Sequence, residues 1–152
     1  MKQKKGGYIM RTTKFFLTVA ILSLILTVGC GNGDSNALFV QVEAAQGSAA
    51  PGNRAPANFL VVVTECQSGA PVTNLVQSNF DVINHFSVPG QKCGFTNNIT
   101  AFKNVGTGAY RIQVELSGNI PDCTWVKGDS LTQVIVSSGV KKGQGTATLS
   151  IK

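Results

Sequence analysis

The sequence predicts an all-β domain, an antiparallel β-sandwich of about seven strands that follows an N-terminal leader. Apolar residues alternate with polar ones in short stretches between residues 38 and 152. Turn-forming Gly, Pro and Asn residues separate these stretches roughly every 8 to 12 residues. No stretch after residue 31 keeps a helical period. Strands of this kind bury one face each, so two stacked sheets are the arrangement that forms a core.

The leader has the composition of a secretory signal peptide. Five Lys and Arg residues and no acidic residue precede the apolar stretch FFLTVAILSLILTV, which runs from Phe15 to Val28. A helix of this length spans only about 21 Å, less than the roughly 30 Å hydrocarbon layer, which disfavours a permanent membrane helix. We therefore expect residues 1–29 to form a signal peptide.

The junction LTVGC (residues 26–30) resembles the lipobox of bacterial lipoprotein precursors, with Thr27 in place of the preferred large aliphatic residue. The resemblance implies that the Cys30 sulfur is lipidated and that Cys30 becomes the mature N-terminus, held in a membrane by its acyl chains. Gly31 implies a location at the outer membrane of the cell envelope. The alternatives are an ordinary secretory signal, which leaves Cys30 a plain thiol, and a single-span anchor.

The mature part of the chain carries little net charge. Five of the 13 Lys and Arg residues precede Cys30 and all seven Asp and Glu residues follow it, so the formal charge falls from +6 to +1. No nucleic-acid partner is therefore expected. Residues 30–36 form the lipidated cysteine and a flexible tether, because GNGDSN has no apolar side chain to bury. Residues 37–152 form one domain.

Seven stretches of the domain have the composition of strands. In chain order they are residues 38–43, 58–65, 80–84, 99–105, 110–116, 131–136 and 146–152. The second is apolar without interruption, which predicts a central strand covered on both sides or β-branched throughout. The fifth alternates, which predicts a half-buried strand whose inward residues are Tyr110, Ile112, Val114 and Leu116.

The connections between these stretches are tight turns or long loops. Gly69 and the GTG segment at residues 106–108 mark turns, because glycine accepts a positive φ. Residues 44–57, 86–98 and 117–129 are long, and the first predicts an exposed connection or a broken edge strand. The pair Lys141-Lys142 lies between glycines, where we expect a solvated turn.

Two motifs resemble those of bacterial immunoglobulin-like domains. GAPVTNL (residues 69–75), followed by Asn79-Phe80, is similar to their G-x-P-V-x-x-L…F signature, and GTGAY (residues 106–110) is similar to the G-x-G-x-Y start of one of their strands. The resemblance covers roughly residues 58–152 and implies an immunoglobulin-like sandwich in which the Tyr110 hydroxyl bonds back to the chain as a tyrosine corner. It implies little about function.

Three cysteines follow Cys30, and an oxidising compartment favours one disulfide among them. We expect Cys66, Cys93 and Cys123 to lie at one pole of the sandwich. Cys93 and Cys123 belong to the two long loops, where the backbone most easily brings two Cα atoms about 5.5 Å apart, so this pair is favoured. Cys66 is the alternative partner of either, and one thiol is left over in each case.

No catalytic or metal-binding pattern is visible in the domain. His85 is the only histidine, the G-x-S-x-G motif is absent, and no paired carboxylates are in view. A zinc site made of the three cysteines and His85 is disfavoured because no C-x-x-C spacing exists. We therefore expect neither enzymatic activity nor a cofactor or metal.

The expected function is therefore binding or structural, carried out by a lipid-anchored protein of the cell envelope. A protein or glycan partner would bind at the cysteine-bearing pole, with Phe95 and Trp125 as candidate contacts, because a tryptophan beside a crosslink can anchor a partner or stack on a sugar. The alternative for Trp125 is that it folds down and caps the core. The second hypothesis is an accessory subunit or inhibitor of a larger periplasmic or cell-surface complex.

Overall fold

The computed structural model describes residues 30, 35–86, 88–118 and 123–152. They form seven strands and one 3₁₀ turn, Gln77–Asn79. The strands are β1 (Leu38–Ala44), β2 (Ala57–Glu65), β3 (Phe80–Phe86), β4 (Ile99–Gly106), β5 (Ala109–Val114), β6 (Gly128–Ser138) and β7 (Lys141–Ile151). The predicted signal peptide and residues 31–34 of the predicted tether lie outside the described residues. No helix in the described ranges has the length and apolar composition to cross a membrane.

The strands form two antiparallel sheets. One has the order β1-β2-β5-β4 and the other the order β3-β6-β7. If the strands are lettered A to G along the chain, this is the constant-type immunoglobulin arrangement, in which sheet A-B-E-D packs against sheet C-F-G. The predicted all-β, immunoglobulin-like sandwich of about seven strands is confirmed.

The core lies between the sheets and follows the alternation along the strands. The inward residues of β5, Tyr110, Ile112 and Val114, are fully buried, as the period of two predicts. Of the two alternatives predicted for β2, cover on both sides is wrong, because Leu60 on the outer face is 38% exposed. The strand is instead rich in β-branched residues, from Val61 to Thr64. Two clusters of aromatic rings fill the ends of the core; their members are Phe80, Phe102 and Tyr110 in one and Phe59, Phe95 and Trp125 in the other.

Strand β7 begins earlier than the sequence suggests, and the pair Lys141-Lys142 lies in the strand rather than in a turn. Gly143 and Gly145 follow, and a Cβ at either position would collide with a backbone carbonyl oxygen of β1. Ala37 forms an isolated parallel bridge with Lys142 beside them. The two glycines therefore serve the close approach of one backbone to another, not a change of direction.

All edge strands of the two sheets are covered, at least in part, by other segments. The Val82 N–H of β3 donates to the Asn97 side chain, and the Asn97 N–H donates to the Val82 carbonyl, both at 2.7 Å. The β2–β3 connection lies along β4, where the Asn104 amide donates to the Thr73 carbonyl. Strands β1 and β7 cover each other through the bridge at Ala37. An uncovered edge would offer a ladder to another chain, and these contacts remove that opportunity.

The sandwich has two distinct poles. Strands β1 and β7 begin at the same end, because Ala37 lies beside Lys142, and antiparallel pairing makes β2, β4 and β6 finish there too. We call this end the tether pole; it holds Cys30, Cys66 and the β6–β7 turn. The opposite end, which we call the loop pole, holds the described residues of the connections 45–56, 88–98 and 115–127.

Candidate functional site

The loop pole brings together three long connections, and a disulfide joins two of them. Cys93 and Cys123 are linked with their Cα atoms 5.8 Å apart, which is the pairing that the two loops favoured. The Gln91 side chain reinforces the link, because its amide donates to the Thr124 carbonyl at 2.8 Å and its oxygen accepts the Val126 N–H at 2.9 Å. One covalent bond and two hydrogen bonds therefore join the described residues of these two loops into one unit.

The third connection, residues 45–56, is fastened to the same unit by Trp125. The indole N–H donates to the Ala55 carbonyl at 2.8 Å, and the Trp125 backbone N–H donates to the Asn53 carbonyl at 2.9 Å. The Arg54 guanidinium adds hydrogen bonds to the carbonyls of Leu116 and Gly118 at 3.0 and 3.1 Å. The loop pole is thus held together by side chains that bind backbone carbonyls of a different loop.

The structure corrects the assignment of Phe95 and Trp125 as contacts for a partner. Phe95 is 0% and Trp125 2% exposed, and their ring centroids lie 5.6 Å apart inside the core. A side chain that is already enclosed by its own domain has no surface to offer a protein or a glycan. Trp125 instead caps the core, which was the alternative interpretation.

The surface of the loop pole is polar and irregular. Its exposed residues include Pro51, Asn53, Pro89, Thr96 and Lys127. The contacts of Gln91, Arg54 and Trp125 thus join the three connections, while these other side chains face the solvent. The sequence indicated the long loops but not their mutual locking, because the contacts of Gln91 and Arg54 join residues more than 30 positions apart.

The tether pole carries a second disulfide, between Cys30 and Cys66, with the Cα atoms 5.5 Å apart. The prediction that Cys66 lies at the same pole as Cys93 and Cys123 is therefore wrong. The physical reason is direction: β2 and β3 run in opposite senses, so the residue after β2 and the loop after β3 lie at opposite ends. No thiol is left over, because all four cysteines form disulfides.

This disulfide and the predicted lipid at Cys30 are mutually exclusive. The sulfur that forms a thioether with a diacylglyceryl group cannot also bond to the Cys66 sulfur. Lipidation of Cys30 therefore stays a prediction, and it applies to a form of the protein in which Cys66 carries a thiol. The structure represents the alternative form, in which both sulfurs are oxidised.

An ion pair closes the tether pole beside Cys66. The Lys141 ammonium at the start of β7 contacts the Glu65 carboxylate at the end of β2, and the Ser68 hydroxyl donates to the same carboxylate at 3.0 Å. The hydrogen bond from Lys141, followed by that from Ser68, lowers the pKa of Glu65 below its ordinary value. Because the partners belong to different sheets, this contact ties the two sheets together.

His85 and the cysteines do not converge on a metal site in the described part of the chain. His85 is exposed, and its Nε2 atom faces the side-chain oxygen of Gln133. Among the described residues, no three His, Cys, Asp or Glu side chains form a group that could hold a metal ion. The thiols that a zinc site would require are bonded to one another.

A further feature lies on the outer face of the four-stranded sheet. A shallow depression of about 240 Å³ is lined there by Glu43, Leu60 and Arg111, together with Ala45, Asn58 and Phe59. This surface gives no signal in the sequence, because Leu60 belongs to an unbroken apolar run that resembles a strand buried on both faces. The charges beside it, Glu43 on β1 and Arg111 on β5, gave no signal because they are far apart in the chain.

A scan against protein-family models, a search of curated proteins and a search of solved structures each returned no match to the chain.

Proposed function

We propose that the chain is a non-enzymatic, lipid-anchored protein of the cell envelope, whose immunoglobulin-like domain acts as a binding or structural module. One observation carries the proposal: the chain enters the domain at one pole, while the locked loops lie at the other. An anchor on Cys30 would hold the domain by its tether pole. The loop pole would then stand roughly 30 Å further from the membrane, given about 3.3 Å per residue along the strands.

The composition of the loop pole supports recognition rather than chemistry. The disulfide and the Arg54, Gln91 and Trp125 contacts fix the backbone, while the polar residues between them stay exposed. Because Phe95 and Trp125 are buried, the proposed contacts are the exposed residues Asn53, Thr96 and Lys127.

The state of the Cys30 sulfur tests the anchoring half of the proposal. The full chain would be produced with its leader in a bacterium with two membranes, extracted with detergent, and its intact mass measured. We expect a chain that begins at Cys30 and carries a diacylglyceryl group, with Cys66 open to alkylation before reduction and Cys93 and Cys123 closed. An N-terminus without lipid and a Cys30–Cys66 disulfide would contradict it. A Cys30→Ser variant supplies the unanchored control.

Substitutions at the loop pole test the binding half. Thr96→Arg and Lys127→Glu change exposed side chains there, and Thr146→Arg makes a comparable change in the middle of β7, on the outer face of the three-stranded sheet. If the loop pole binds envelope material, the first two variants lose a partner that co-purifies after gentle detergent extraction, whereas Thr146→Arg keeps it. A stoichiometric protein partner would favour the accessory-subunit hypothesis, and equal recovery with all variants would remove the loop pole as the binding surface.

A further inference from the structure

The outer face of the sheet β1-β2-β5-β4 carries an ordered row of side chains. The strand register aligns Glu43 with Leu60, Leu60 with Arg111, and Arg111 with Lys103. Residues in register on neighbouring strands point to the same face and stand about 4.8 Å apart. The row therefore places a carboxylate at one edge of the face, two cations at the other edge and an exposed leucine between them.

Apolar side chains that are only partly covered surround the centre of this row. Leu60 is 38% exposed, and Phe39, Val62 and Ala109 are half-buried on the same face. The shallow depression lies directly beside Leu60. Glu43, Arg111 and Lys103 are exposed, and no ion pair joins any of them to another described residue. The face thus combines an apolar centre with unpaired charges of opposite sign at its two sides.

We propose that this outer face binds the same face of a second copy of the chain, about a two-fold axis that runs parallel to the strands. Such an axis reverses the order of strands across the interface, so β1 of one copy faces β4 of the other. Glu43 then lies against Lys103 of the second copy, and Leu60 packs on the aliphatic stem of Arg111 of the second copy. The contact between Glu43 and Lys103 therefore occurs twice, once on each side of the axis.

The rest of the fold agrees with this mode of association. Pairing of copies through their strand edges is hindered by the Asn97 segment on β3, by the Gln77 side chain on the Ile99 carbonyl of β4 and by the contact of β1 with β7. A two-fold axis along the strands also leaves both tether poles at the same end of the dimer. If the proposed function is correct, both copies are anchored in the same membrane. The dimer then joins neighbours in one membrane rather than copies in two membranes that face each other.

The small area of the face predicts a low affinity of the two copies for each other. Four strands of about seven residues cover roughly 19 by 23 Å, or about 440 Å² per copy. Standard interfaces bury about 800 Å² per partner, so the dimer is weak and depends on concentration. Confinement to a membrane raises the effective concentration of each copy and shifts the balance toward the dimer.

Charge reversal across the row tests the proposal. The processed full chain would be studied by sedimentation equilibrium in density-matched detergent up to about 1 mM protein. Glu43→Lys and Lys103→Glu should each weaken dimerisation by about tenfold or more, because like charges then face each other across the interface. The double variant Glu43→Lys/Lys103→Glu should recover to within about threefold of the unchanged protein, because the charges are again opposite. Asp81→Lys, on the outer face of the other sheet, is the control and should change nothing.

Three results would overturn the proposal: a protein that stays monomeric over the whole range, a dimer that ignores the single reversals, and a double variant as weak as either single one. The intact mass of the same sample shows independently whether Cys30 is lipidated. A failure of the dimer can therefore be distinguished from a failure of the proposed anchor. An unlipidated chain that still dimerises through the row would leave the interface standing and remove only the shared membrane.

Discussion

The Tyr110 hydroxyl makes two hydrogen bonds to the backbone of another segment. It donates to the Val72 carbonyl at 2.6 Å and accepts the Leu75 N–H at 3.2 Å, and the side chain is fully buried. Those two backbone groups belong to the connection by which the chain leaves one sheet for the other. The hydroxyl therefore satisfies two backbone groups that lie between the ladders of β2 and β3. The predicted bond back to the chain is present, but the predicted tyrosine corner is wrong, because Tyr110 lies at the start of the fifth strand and its partners lie 35 and 38 residues earlier, whereas a tyrosine corner lies at the start of the sixth strand and bonds only a few residues upstream.

Removal of this hydroxyl should destabilise the domain without altering its shape. We expect Tyr110→Phe to lower the free energy of unfolding by about 1 to 3 kcal/mol, because two buried backbone groups lose their partner. Urea denaturation followed by far-ultraviolet circular dichroism measures the difference. Thr148→Val removes an exposed hydroxyl from β7 and should cost less than about 0.5 kcal/mol. Equal costs would show that Tyr110 acts through its ring alone.

Glu65 makes the stability of the domain depend on pH, in a direction that its lowered pKa defines. Lys141 and Ser68 lower the pKa of its carboxyl below the ordinary value, so the ionised form is favoured in the folded state. A group with a lowered folded pKa contributes stability above its unfolded pKa and loses that contribution as the pH falls through the folded pKa. The contact therefore acts fully at neutral pH and disappears in acid. Because the carboxylate is solvent-exposed, the effect on stability is small.

A titration of the Glu65 carboxyl followed by NMR checks this explanation. We expect Lys141→Met to raise the pKa of Glu65 toward the ordinary value, because both the hydrogen bond and the charge of Lys141 are lost. Lys142→Met removes the neighbouring exposed cation and should leave the pKa of Glu65 nearly unchanged. If both variants shift the pKa equally, the general charge of the tether pole is responsible instead.

At the scale of the strand, β7 shows why some elements were expected and others were not. The alternation of Ala147, Leu149 and Ile151 predicted its second half correctly. Its first half contains Gly143 and Gly145, which have no side chain and so give no hydrophobic period. Their purpose becomes visible only when β1 lies beside them, because a Cβ there would meet the carbonyl oxygens of Leu38 and Val40.

Substitution of one of these glycines tests the close approach. We expect Gly145→Ala to lower the free energy of unfolding by about 2 to 3 kcal/mol, because the added methyl group pushes β7 away from β1 at a backbone atom that cannot rotate aside. Gly94→Ala is the matched control, since a Cβ at Gly94 meets no atom within 4 Å. Chemical denaturation of both variants gives the comparison, and a tolerated Gly145→Ala would refute the packing argument.

At the scale of the whole molecule, the sequence predicted the fold better than the site. Short strands with alternating side chains identify a sandwich because only stacked sheets can bury them. The locations of the cysteines and of Trp125 depended instead on strand direction and on loop packing. Cys66 was expected beside Cys93, yet β2 and β3 run in opposite senses. Trp125 was a candidate surface contact because nothing local reveals that Ala55 accepts its N–H.

The disulfide between Cys93 and Cys123 should provide a large share of the stability. The bond spans a sequence separation of 30 residues, and the chain-entropy model gives about 3 to 4 kcal/mol for a loop of that length. We expect Cys93→Ala/Cys123→Ala to lower the free energy of unfolding of the anchored protein by about this amount. Cys66→Ala should cost less than about 1 kcal/mol there, because the lipid occupies Cys30. A comparable loss in both variants would mean that Cys66 is also crosslinked.

The covered strand edges limit how copies of this protein can associate. Conversion to cross-β fibrils requires backbone groups that are free to hydrogen-bond to another chain, and contacts at Val82, Ile99 and Ala37 occupy such groups. Copies of the domain that are crowded at a surface would therefore contact each other through side chains rather than through backbone hydrogen bonds. Contacts between side chains form and separate quickly, so dense arrays of this domain should remain reversible and should dissolve when salt screens their charges.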